Sequence, residues 1–154
     1  MPKQDKIVIT DASCFITLDK LDGMYLLNAL YKEVITTPEI AAEYRKRLPD
    51  WVDVKAVLNR DLLYNYSEIV DIGEASAMAL ASEIHTDLLI IDDAAARRFA
   101  KKLGLNITGT VGVILSAKLN GIIPFVEPFI TKLQQTNFRI SDWLIAQILT
   151  EAGE

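Results

Sequence analysis

The chain has almost none of the residues that fasten a small fold by covalent or metallic means. It contains one cysteine, Cys14, and one histidine, His85. A single cysteine excludes an intrachain disulfide framework and a cysteine-rich zinc site. A single histidine excludes a histidine-pair zinc site and argues against a Ser-His-Asp arrangement. Seven glycines and five prolines are too few for a collagen-like or low-complexity chain. Long apolar runs are missing as well: stretches such as Leu88 to Ile91 are far short of the ~20 residues that span a bilayer. No long apolar stretch follows the opening residues Met1 to Lys6, so no secretory signal is read and a soluble cytoplasmic protein is expected. Excess positive charge is also absent. Sixteen basic against 21 acidic residues give a net charge of −5, the wrong sign for holding nucleic acid by bulk electrostatics alone. A nucleic-acid enzyme stays open, because carboxylates gathered round a divalent cation enter the count as negative while the ion reverses their local sign.

What is present is an ordinary globular composition, 51% hydrophobic and 24% charged. A chain of ~150 residues buries roughly 70% of its unfolded surface. With no linker or repeat in view, one domain over 1–154 is expected. Strand-like runs alternate with helix-like runs, the pattern of a parallel sheet wrapped by helices. The expectation is a three-layer α/β/α sandwich with a short, mainly parallel sheet.

The first strand is read at 7–10, apolar and β-branched as a doubly buried strand should be. Helices are read at 12–18 and 22–31, and a short strand at 33–36. Thr37-Pro38 opens the next helix, with Thr as N-cap and Pro at the first helical position, and that helix runs to about Leu48-Pro49. Residues 51–57 fit both a helical spacing and an alternating one; the cleaner alternation favours a strand. Further helices are expected at 59–68, 73–84, 94–103, 110–119, 125–135 and 142–151, with strands at 88–91 and 105–108.

On this scaffold the acids fall on one edge. Asp11 follows the first strand, and Asp92 and Asp93 follow a later one. In open parallel sheets, ligands bind outside the carboxyl ends of the strands. Glu74 opens a helix starting on that edge if the crossovers are right-handed, and Glu43 lies in the helix after the second strand. Converging carboxylates raise one another's pKa, and a hard divalent cation relieves them. Such sites suit phosphoryl chemistry.

The ordered set Asp11-Ala-Ser13, Thr37-Pro-Glu-Ile-Ala-Ala-Glu43, Gly73-Glu-Ala-Ser-Ala77 and Leu89-Ile-Ile-Asp92-Asp93 resembles a PIN domain over nearly the whole chain. That family comprises metal-dependent ribonucleases, among them VapC-like toxins of toxin–antitoxin pairs. The resemblance implies Asp11, Glu43 and Asp92 or Asp93 as ligands of magnesium or manganese. It makes Glu74, which stands where the family usually has Asp, a support for a second ion or for the attacking water. It further implies RNA as substrate, a homodimer and, for toxin members, a small antitoxin. A non-catalytic PIN-like binding or dimerisation module is the alternative.

Plainer roles exist for the same residues. Asp11 can cap the helix after it, Glu43 can pair with Lys46 or Arg47, and Asp93 can pair with Arg97. Glu39 is read as a first-turn dipole complement, and Ser13 and Thr110 as helix-start residues. Cys14 and His85 are read as packing or surface residues, and Trp51 and Trp143 as core or interface anchors. The basic groups Arg45-Lys-Arg47, Arg97-Arg98 and Lys101-Lys102 are candidate guides for an RNA backbone.

Overall fold

Short buried apolar stretches, Val8-Ile9, Val34-Ile35 and Leu89-Ile90, build the centre of the molecule. A computed structural model describes residues 4–154. Among them five parallel strands form one sheet in the order β3-β2-β1-β4-β5, where β1 is Gln4–Thr10, β2 Tyr31–Thr36, β3 Val52–Val54, β4 Leu88–Ile90 and β5 Ile107–Thr108. β1 is central: Val8 pairs with Val34 on one side and with Leu88 on the other. Val8 and Ile9 are fully buried, each side chain contributing roughly 1.5–3 kcal/mol by leaving water.

Helices cover both faces, as the α/β/α expectation requires. They are α1 (Ala12–Lys20), α2 (Tyr25–Leu30), α3 (Pro38–Tyr44), α4 (Arg60–Ser67), α5 (Ile72–Glu83), α6 (Ala94–Lys102), α7 (Thr110–Leu119), α8 (Glu127–Gln134) and α9 (Asp142–Glu151). α5 is buried over Gly73 to Leu80, so its pattern has no polar face in that stretch. It packs on α3, α4, β1 and β4. Its small residues allow that approach, and the Ser76 hydroxyl bonds both the Gly73 carbonyl and Thr37 Oγ1 at 2.6 Å. Thr37 in turn accepts from the Ile40 N–H at 3.2 Å, the N-cap expected of it. The hydroxyl pair therefore locks the start of α3 to the start of α5. No helix among the described residues is long and apolar enough to cross a membrane.

Several boundaries differ from the sequence reading, and for three of them the backbone shows the cause. The helix expected to run to Leu48-Pro49 stops at Tyr44, because Arg45 turns left-handed at φ 65°. The helix expected over 22–31 covers only Tyr25–Leu30, because Asp22 has a left-handed φ of 54° and Tyr31 already pairs with β1 as a strand residue. The strand expected over 51–57 shrinks to Val52–Val54, the length its pairing with β2 supports.

Candidate active site

β1 sits where the strand order changes direction: β2 lies on one side and β4, much later in the chain, on the other. A crevice opens at the carboxyl ends of the strands at such a point. Asp11 stands there. Its backbone N–H donates to the Ile90 carbonyl at 3.1 Å, one rung beyond the β1–β4 ladder. It occupies the N-cap position of α1, yet its side chain makes no capping bond. The side chain's burial is nearly complete, 4% exposed, and Oδ1 has no hydrogen-bond partner. Leaving a buried carboxylate oxygen without a donor is costly. Burial pushes the Asp11 carboxyl up to about 7; the Ala12 backbone N–H draws it down, and the charges of Glu43, Asp71 and Asp92 raise it further.

Glu43 comes from the last turn of α3, where a negative charge opposes the helix dipole. The basic residues beside it are engaged elsewhere: Lys46 pairs with Asp19, and Arg47 with Asp50. Burial raises the Glu43 carboxyl above its ordinary value, and Asp71 raises it further. The carboxylate lies against the first turn of α5, for a Cβ built on Gly73 would stand 3.2 Å from Glu43 Oε2.

Glu74 is the third residue of α5 and is buried, 5% exposed. Asp71 caps that helix, its Oδ1 accepting from the Glu74 N–H at 2.9 Å. Burial first, then the hydrogen bond and charge of Asp71, push the Glu74 carboxyl up to about 8, with Asp11 and Asp93 adding to the rise.

Asp92 and Asp93 are held differently. Asp93 N-caps α6, its Oδ2 accepting from the Ala96 N–H at 2.9 Å. Asp92 Oδ1 accepts from the Thr110 N–H at 2.8 Å, and Oδ2 from the Thr110 hydroxyl at 2.6 Å and the Ser13 hydroxyl at 3.0 Å. Ser13 and Thr110 thus serve Asp92 and do not cap helices; Gly109 is the N-cap of α7. Arg97 does not pair with Asp93. Its Nη1 donates to the Ile91 carbonyl at 2.9 Å.

All five expected acids line one cavity of about 840 Å³, and Asp92 and Asp93 both face it. Asp71, Phe138 and Arg139 line it too, and the sequence reading named none of them. Asp71 had a signal: an Asp three residues before Glu74, ahead of an apolar helix, has the spacing of a capping box. Phe138 and Arg139 sit between α8 and α9 in a stretch without periodicity or motif.

Glu39, Cys14, His85, Trp51 and Trp143 do not line this cavity. Glu39 lies in the first turn of α3, 4.0 Å from Arg60. Cys14 is fully buried and burial drives its thiol up, away from thiolate chemistry. His85 is at the surface, 3.1 Å from Asp87. Trp51 packs partly buried against the core, and Trp143 is 73% exposed on α9.

The donor set is oxygen alone, which suits a hard divalent cation. The unpartnered Asp11 Oδ1 and the mutually raised carboxyls are what such an ion would relieve. No three Asp, Glu, His or Cys side chains among the described residues form a ready-made cage. Magnesium needs none, since it binds through one or two carboxylates and keeps several waters. The residues present fit that ion.

A family model described as a PIN domain, DUF3368, matches residues 7–154. The match includes every acid of the cavity. No curated protein matches the chain.

Proposed function

The chain belongs to the PIN domain family, a fold of nuclease type, and from that premise we propose that it is a divalent-metal-dependent ribonuclease cutting RNA endonucleolytically. The observation that carries the reading is the buried, donorless Oδ1 of Asp11, set among Glu43, Glu74 and Asp92 at the strand-order switch. A fold does not keep such an oxygen for stability. Asp11, Glu43, Asp92 and Asp93 are the residues that would hold magnesium or manganese. When bound, that ion lowers the pKa of a water and neutralises charge developing on the phosphate.

The chain's own groups divide the remaining work. Thr110 and Ser13 fix the Asp92 carboxylate so that it meets the ion in one orientation. Asp93 keeps Oδ1 uncommitted while Oδ2 caps α6. Glu74 carries its proton near neutral pH and orients the attacking water from the start of α5. No side chain here is an activated nucleophile, so hydrolysis proceeds by water and without a covalent intermediate.

The test is cleavage of a mixed pool of labelled single-stranded RNA with magnesium, with manganese and with EDTA, beside Asp11→Asn purified identically. Cleavage that needs metal and is lost in the variant supports the reading. Cleavage that persists in EDTA or in the variant points to another site. No cleavage and no calorimetric metal binding leaves a non-catalytic PIN-like module.

A further inference from the structure

A second cavity of about 360 Å³ adjoins the acidic one and shares Asp92, Phe138 and Arg139 with it. Its volume is within the range of about 300–1,000 Å³ typical of small-ligand sites. Val111, Leu144 and Ile148 make it largely apolar, and Arg97 and Arg139 line it. Arg97 is half-buried and fixed by its bond to the Ile91 carbonyl. Gly109 makes room for this arrangement: a Cβ there would lie 2.8 Å from Asp92 Oδ1 and 3.1 Å from Arg97 Nη1. Arg139 is exposed and makes no ion pair among the described residues. An unpaired cation at the rim of a carboxylate cavity, in a chain of net charge −5, is suited to bind an anion that the neighbouring acids would otherwise repel.

We propose that this second cavity seats the nucleotide next to the scissile phosphodiester of a single-stranded RNA, with Arg139 binding its phosphate. The proposal rests on the ribonuclease reading and specifies its substrate. The shared wall lets one strand run from the acids into the apolar pocket. Phe138 offers an aromatic wall of the kind on which unpaired bases stack. A base can enter only if it has left its duplex, so the site selects single strands. Arg139 acts as a substrate-binding residue and takes no part in the bond-breaking step.

The test uses the full chain and a labelled mixed-sequence single-stranded RNA, with its duplex form as comparison. Wild type, Arg139→Ala and Arg139→Lys are measured for cleavage and for binding by anisotropy across a salt series. Arg139→Ala should raise KM about tenfold, the loss of one charge-assisted phosphate contact, with kcat nearly unchanged. Its binding should also lose about one unit of salt slope. Arg139→Lys should restore the slope but not the full affinity, because an ammonium lacks the bidentate fork. The duplex should be a poor substrate for all three proteins. If wild type cleaves and Arg139→Ala matches it in KM and salt slope, or loses only kcat, the inference falls while the ribonuclease reading stands. If wild type cleaves no RNA with either metal, the ribonuclease reading falls and takes this inference with it.

Discussion

Thr110 grips Asp92 twice, through its backbone N–H at 2.8 Å and its hydroxyl at 2.6 Å. Thr110 is fully buried, so solvent does not replace the hydroxyl once it is removed. Thr110→Val keeps the shape and deletes the donor. It should cost about 1 kcal/mol by urea unfolding and slow RNA cleavage by freeing the Asp92 carboxylate to turn. Thr110→Ser should restore both. A valine variant that cleaves at the wild-type rate would show that Asp92 needs no fixed orientation.

The raised carboxyls make the metal-free protein less stable as pH rises. A carboxyl whose folded pKa exceeds its unfolded one contributes stability below the unfolded value and loses it as pH passes the folded value. For Asp11 that window runs from 3.8 to about 7, and for Glu74 from 4.5 to about 8. The melting temperature without metal should therefore be higher at pH 5 than at pH 8.5. Asp11→Asn should flatten the fall and be the more stable protein at pH 8.5. Magnesium or manganese should raise the wild-type melting temperature at that pH and leave the variant nearly unmoved. A flat wild-type profile would mean that the acids are already relieved by something other than a cation.

The sheet was legible because a doubly buried parallel strand is written as an unbroken apolar run, as Ile7 to Ile9 and Leu88 to Ile91 are. The acids followed from it, since Asp92 comes directly after such a run and Asp11 one residue after one, so both inherit its edge. The short end of α3 was not legible: Glu43 through Leu48 keeps a helical composition, and only the left-handed turn at Arg45 stops it. The roles of Ser13 and Thr110 were hidden for another reason. A hydroxyl at a helix start reads as a cap in any sequence, and only the closeness of β1, β4 and β5 turns both toward Asp92. Arg139 reaches the cavity from more than 100 residues beyond Asp11 in the chain, a proximity that local pattern does not encode.

Gly73 separates stability from function. Within a helix, alanine is favoured over glycine by roughly 1 kcal/mol, so Gly73→Ala gains propensity. Its Cβ would press Glu43 Oε2 at 3.2 Å, and the flexible carboxylate would move away. The variant should melt at or above the wild-type temperature while cleaving RNA more slowly. Undiminished cleavage would remove Glu43 from the machinery, since its carboxylate could then shift without consequence.

Asp71 has two separable jobs, and its variants part them. Its Oδ1 caps α5 through the Glu74 N–H at 2.9 Å, and its side-chain hydrogen bond and charge add to burial in raising the Glu74 carboxyl to about 8. Asp71→Ala loses both jobs and should cost about 1 kcal/mol as a missing cap. Asp71→Asn keeps an oxygen for the Glu74 N–H, so most of that stability should return. The amide brings no negative charge, so Glu74 should then give up its proton at lower pH. Since Glu74 works with its proton on, the falling limb of the pH–rate profile should move toward acid in Asp71→Asn, read with manganese held constant. Asp71→Asn that matches wild type in both melting temperature and pH profile would reduce Asp71 to a helix cap and leave the proton on Glu74 to burial alone.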